Sequence, residues 1–144
     1  MLAARDEGLP LPAAAVGLSP WTDLACTGDS LTTKRDIDPF TPGDSWTVFS
    51  SYYVGDGDPR NPWISPLYGD LAGLPPTLIY VGDREVLFDD SARFVDKARA
   101  AGVDATLRVG EGLFHCYPVC GSFFPEAQHA MSEICAFIRT HTNV

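Results

Sequence analysis

The chain has no long apolar run, few basic residues and only four cysteines, and each shortage excludes something. No stretch approaches the roughly 20 apolar residues that a membrane-spanning helix needs. The opening Met1-Leu2-Ala3-Ala4-Arg5-Asp6-Glu7 lacks the basic and apolar regions of a signal peptide, so a cytoplasmic protein with no membrane span is expected. Ten Lys and Arg stand against nineteen Asp and Glu, a formal charge of -9, which repels polyphosphates and makes nucleic acid and anionic membranes poor partners. Cys26, Cys116, Cys120 and Cys135 are neither dense nor regularly spaced and read as free thiols. His115-Cys116 followed by a single Cys120 lacks the paired spacing of a zinc site, so no metal is expected.

What is present is enough for a core: 144 residues, 45% of them hydrophobic, the size of one ordinary domain or a piece of one. Twelve prolines and thirteen glycines predict short elements joined by ordered turns. Leu2 to Glu7 reads as the last turns of a helix, stopped by Gly8, Pro10 and Pro12. Apolar runs at Ala13 to Leu18, Thr77 to Val81 and Ala105 to Val109 are candidate strands of a buried sheet. Between the second and third, Leu87 to Ala101 places Leu87, Ser91, Phe94, Val95, Ala98 and Ala101 on one helical face, with acids in the first turn and Gly102 as its stop. Pro125 opens a final amphipathic helix through Ile138. Strand, helix, strand, helix predicts a parallel α/β sheet with helices on both faces, a three-layer α/β/α arrangement.

Parallel sheets present their chemistry beyond the carboxyl ends of their strands. There stand Gly82-Asp83-Arg84-Glu85 after the second run, and Gly110-Glu111-Gly112-Leu113-Phe114-His115 after the third. A carboxylate that accepts the Nδ1 proton of an imidazole fixes its tautomer and frees Nε2 as a base, which nucleophilic catalysis by serine requires. Glu85 and Asp83 are both candidates for that carboxylate, and His115 is the imidazole.

Three Gly-x-Ser triplets invite a search for the nucleophile. Gly28-Asp29-Ser30 and Gly43-Asp44-Ser45 lack a second glycine and a preceding strand, and read as turns or helix caps. Gly17-Leu18-Ser19 does follow a strand, but Pro20 comes next and has no N–H to offer an oxyanion. Trp46, Phe49, Tyr52 and Tyr53 recur at helix-compatible spacing and predict a short helix whose aromatic face either fills a local core or roofs a pocket.

Leu18-Ser19-Pro20-Trp21-Thr22-Asp23-Leu24, Ser65-Pro66-Leu67-Tyr68, Leu74-Pro75-Pro76-Thr77, Gly82-Asp83-Arg84-Glu85-Val86-Leu87 and Gly112-Leu113-Phe114-His115 together resemble the hormone-sensitive-lipase-like (family IV) carboxylesterases of the α/β-hydrolase fold. The resemblance covers nearly the whole chain and implies its place as the C-terminal half of that fold, about three mainly parallel strands with flanking helices. It implies His115 as the triad histidine and Glu85 as the acid, with Asp83 the alternative, and a cap or substrate-pocket segment over residues 27–62 in which Trp46, Phe49 and Tyr53, with Phe114, contact a small or medium acyl ester. It implies no cofactor, and a homodimer through Ala105–Val109 and the final helix. A Gly-x-Ser-x-Gly elbow and a His-Gly-Gly oxyanion loop should lie upstream and are absent from the 144 residues, so the expectation is an inactive truncated piece, or else a catalytically dead remnant that binds a partner.

Overall fold

The computed structural model describes residues 1–41 and 44–142. Its centre is a three-stranded parallel sheet in the order β1 (Ala15–Leu18), β2 (Thr77–Gly82), β3 (Ala105–Gly110). Ala15 pairs with Thr77 and Thr77 with Ala105, so the strands start and end nearly level. Every residue of β2 is buried, as expected of a strand flanked on both sides, whereas Val109 on the outer strand is 48% exposed. The first strand begins at Ala15 rather than Ala13, because pairing starts where the Ala15 N–H reaches the Pro76 carbonyl.

Alternation along β2 divides the core into two layers. Ile79 faces Leu71, Leu74, Phe94, Val95 and Ala98, with Leu2 from α1 (Leu2–Asp6) closing that side. Leu78 and Tyr80 face Tyr117, Ala127, Ala130 and Ile134 on the other. The sheet is therefore sandwiched between α4 (Phe88–Ala100) and α5 (Pro125–Thr142), the expected three-layer arrangement. Two short helices, α2 (Ser30–Thr33) and α3 (Ser45–Val54), lie in the connection between β1 and β2.

Helix α4 carries its own start and stop signals. Asp89 and Asp90 lie in the first turn and Lys97 and Arg99 in the last, each sign opposing the helix dipole. Gly102 then takes φ +80°, where the Gly102 N–H reaches Arg99 and the Val103 N–H reaches Ala98, a Schellman termination that returns Val103 to the core. Asp90 is fully buried, and one of its carboxylate oxygens accepts the N–H groups of Thr22 and Asp23, each at 2.7 Å. Burial, opposed by those two bonds, pushes its carboxyl up to about 6. Asp23 in turn gathers Thr27, Tyr68 and Arg93, so the segment leaving β1 is fastened to α4. No described helix is long and apolar enough to cross a membrane.

The aromatic segment forms the expected helix but not a local core. Phe49, Tyr52 and Tyr53 are 54%, 84% and 71% exposed, and only Trp46 packs inward, edge-on to Trp21 at 4.6 Å. Among the described residues no element lies over the other three. Asp29 and Asp44 stand at the N-termini of α2 and α3 as the cap reading expects, though neither side chain makes a capping bond, and Gly43 lies outside the described residues.

Candidate active site

The ends of β2 and β3 are interlocked by backbone. Asp83 N–H donates to Gly110 O and Arg84 N–H to Leu113 O, both at 3.0 Å, which lays the loop after β3 across the loop after β2. Gly82 makes this approach possible: a Cβ there would sit 2.3 Å from the Leu113 carbonyl oxygen, far inside contact distance. Gly112 adopts φ +71° to turn the second loop back, and its N–H donates to Asp83 Oδ1 at 2.7 Å. The next residues then deliver His115.

The loop after β2 is also held from outside. Ser30 Oγ donates to Val86 O at 2.6 Å, Asp38 accepts the Val86 N–H at 3.0 Å, and Lys34 Nζ donates to Asp83 O at 2.6 Å. Residues 30–38 thus clamp the segment that contains Glu85. Held in this way, Glu85 is completely buried and has a full set of donors. Its Oε1 accepts the Ser19 hydroxyl at 2.6 Å and the Gly82 N–H at 2.7 Å; its Oε2 lies 2.8 Å from His115 Nδ1. Since every contact to the carboxylate comes from a donor, Nδ1 carries a proton in both states of the ring, and the neutral ring presents its lone pair at Nε2. Cys116 first, and then Glu85, raises the His115 imidazole to about 10 against the opposing effect of burial.

Of the two acids weighed from sequence, the structure brings Glu85 to the histidine. Asp83 instead holds the Gly112 N–H, steadying the loop that carries His115. The aromatic candidates divide as well. Trp46 lies 5.8 Å from the His115 ring, centroid to centroid, and Phe114 stacks on Phe40 at 5.3 Å. Phe49 and Tyr53 line a shallow depression with Trp21, Leu24 and Ile64.

Two participants escape a reading by spacing. Ser19 sits at the end of β1 with φ +46° and is buried; its hydroxyl donates to Glu85 while accepting the Cys116 N–H at 2.9 Å. Cys116, also left-handed at φ +56°, places Sγ 3.4 Å from His115 Nε2. The sequence contained one signal for each: the Leu18-Ser19-Pro20 motif, and a cysteine directly following the histidine. A separate cleft of about 760 Å³ between β3 and α5 is lined by Tyr80, Arg108, Tyr117 and Glu133 but not by Glu85 or His115. Within it Arg108 pairs with Glu133 at 2.6 Å.

The comparisons agree with this architecture. The family described as the α/β hydrolase fold matches residues 1–119. An acetyl-hydrolase of Streptomyces hygroscopicus is 42% identical over 140 residues, covering 97% of this chain and 47% of the relative. An esterase of Acinetobacter venetianus is 35% identical over 128 residues, covering 88% of this chain and 42% of the relative. Among solved structures, a hormone-sensitive lipase from a metagenome library superposes with a TM-score of 0.93 at 40% identity, covering 98% of this chain and 48% of that one. The protein EstE5, soaked by p-nitrophenyl butyrate, superposes with a TM-score of 0.92 at 38% identity, covering 99% and 48%. The chain spans about half the length of the curated relatives it matches. In sequence, in strand order and in three-dimensional course, it belongs to the α/β-hydrolase fold family, on the branch of the hormone-sensitive-lipase-like esterases.

Proposed function

We propose that this chain supplies the acid and the base of a serine-type carboxylic-ester hydrolase, with Glu85 as the acid and His115 as the base. The observation that carries this reading is the 2.8 Å contact between His115 Nδ1 and a fully buried carboxylate, at the ends of neighbouring parallel strands. In the reaction, His115 Nε2 takes the proton of a serine hydroxyl as its oxygen attacks the ester carbonyl, then gives that proton to the departing alcohol. Glu85 stabilises the imidazolium in between. Water repeats the relay to release the acid.

The serine itself is not among these residues. Ser19 has its hydroxyl committed to Glu85 and is followed by Pro20, which has no N–H for an oxyanion. The 144 residues alone are therefore inactive, and the nucleophile and oxyanion loop belong to the part of the fold that the longer relatives possess. Trp46 and Phe114, beside the histidine, support an acyl site for small or medium esters, with Phe49 and Tyr53 at its outer margin. The exposed edge of β3 and the partly exposed Ile138 of α5 support pairing with a second copy.

The test is complementation. The chain is combined with the N-terminal half of a related esterase that carries the Gly-x-Ser-x-Gly elbow, and p-nitrophenyl acetate and butyrate hydrolysis and fluorophosphonate labelling are measured. Activity is expected in the pair, none in the chain alone, and none in the pair after His115→Ala. Serine labelling of the chain alone that His115→Ala abolishes would defeat the inactivity claim; hydrolysis by the pair that survives His115→Ala would defeat the assignment of the base.

A further inference from the structure

Cys116 completes a second arrangement around the same imidazole. Its Sγ lies 3.4 Å from His115 Nε2, and His115 Nδ1 lies 2.8 Å from Glu85 Oε2, so thiol, imidazole and carboxylate stand in line. The sulfur is held there by its backbone. The residue takes a left-handed conformation at φ +56°, ψ +28°, which is uncommon for any side chain but glycine, and its N–H is anchored on Ser19 Oγ at 2.9 Å. Sγ also donates to Leu18 O at 3.3 Å, which holds the thiol from the other side and is the second acceptor within reach of its one proton. Both Cys116 and His115 are partly exposed.

Reactivity of a cysteine follows its thiolate, and an imidazole backed by a buried carboxylate is the neighbour that draws off the thiol proton. Cys26 provides the contrast within the same molecule. Its Sγ faces only the Leu24 carbonyl at 3.7 Å, and burial, with Asp23 and Asp90 nearby, pushes the thiol up to about 11.

We infer that Cys116 is a nucleophilic thiol activated by His115 and Glu85, a covalent-modification site for small soft electrophiles and for peroxides. With iodoacetamide, the neutral ring's Nε2 takes the S–H proton to give a thiolate–imidazolium pair, the sulfur attacks carbon, the C–S bond forms, the C–I bond breaks and iodide leaves with the electron pair. With hydrogen peroxide, the sulfur attacks one oxygen and is oxidised to the sulfenic acid; the O–O bond breaks, and the departing hydroxide takes the Nε2 proton to become water. Either product covers Nε2. Only the further consequence that modification blocks ester cleavage rests on the esterase reading.

The experiment uses the whole chain, native at pH 7, with limiting iodoacetamide and peptide mass spectrometry on all four cysteines. Cys116 is expected to be alkylated at least about tenfold faster than Cys26, and to lose about that advantage in His115→Ala, while all four react alike in urea. The pH profile of the unmutated chain separates activation from mere exposure: the Cys116 rate should stay high below the range in which an ordinary thiol titrates. A rate equal to that of Cys26, a rate unaffected by His115→Ala, or a profile rising with ordinary thiol titration would each overturn the proposal. Because no ester is involved, the chain can fail every ester assay and still pass this one.

Discussion

Replacing Glu85 by Gln changes no shape and moves a proton. Glu85 Oε1 receives two donors, Ser19 Oγ–H and Gly82 N–H, so in the variant the amide oxygen must take that place. The amide NH₂ then falls where Oε2 was, 2.8 Å from His115 Nδ1 in the parent. An NH₂ can only donate, which forces Nδ1 to accept and moves the ring proton to Nε2. Three contacts to a buried charge become contacts to a neutral amide. At about 1.5–3 kcal/mol for a charge-assisted bond against about 0.5–1.5 for a neutral one, each contact loses about 1–1.5 kcal/mol and the three together about 3–4.5 kcal/mol.

That loss depends on pH. Cys116 and then Glu85 raise the His115 imidazole to about 10, from an ordinary 6.5. A raised folded-state value means that the imidazolium's contribution is present in full below 6.5 and is lost as the pH rises through 10. The parent should therefore exceed Glu85→Gln in urea denaturation by the most near pH 6 and by much less at pH 10. Nitrogen-15 correlation spectra of the ring, taken above its titration, should report an Nε2 proton in the variant and an Nδ1 proton in the parent. Equal stabilities at both pH values, or a variant that keeps its proton on Nδ1, would refute the hydrogen-bond assignment on which the active-site reading stands.

Two further outcomes follow from the packing. Gly82→Ala sets a methyl group 2.3 Å from the Leu113 carbonyl oxygen, a clash with backbone that cannot swing away. The loop carrying His115 should shift, with a stability loss of about 3 kcal/mol read as a lower urea midpoint; an unchanged midpoint would mean that the two loops are not interlocked. Leu71→Ala empties a fully buried position in the layer under α4 and should cost about 2–5 kcal/mol, and a loss below about 1 kcal/mol would show that this layer is loosely packed.

The strands were legible because each is an apolar run cut off by Pro or Gly, and α4 because its apolar face, acidic start and glycine stop agree. The final helix announced itself with Pro125 and its periodic Ala127, Ala130 and Ile134. Sequence placed Glu85, Asp83 and His115 at strand ends, but spacing could not divide the acids. That division comes from the loop geometry that turns Asp83 toward the Gly112 N–H and Glu85 toward the imidazole. Ser19, judged only as a nucleophile, was invisible as a donor to Glu85, since that contact spans 66 positions and needs β1 beside β2. The burial of Asp38 and Asp90 escaped for a related reason: Asp90 accepts the N–H groups of Thr22 and Asp23, and Asp38 that of Val86, partners that no local pattern announces. The aromatic helix was foreseen, but whether its face is covered depends on what else lies over it, which periodicity does not encode.

Ser19, Glu85 and His115 each come from the end of a different strand, and the hydrogen bonds among them close a ring through both the backbone and the sulfur of Cys116. For anyone splitting such a fold into two polypeptides, this ring sets the position of the cut. A break upstream of Ala15 hands the whole ring to one partner intact, whereas a break between Ser19 and Thr77 would leave the carboxylate short of a donor and the histidine loop short of its anchor.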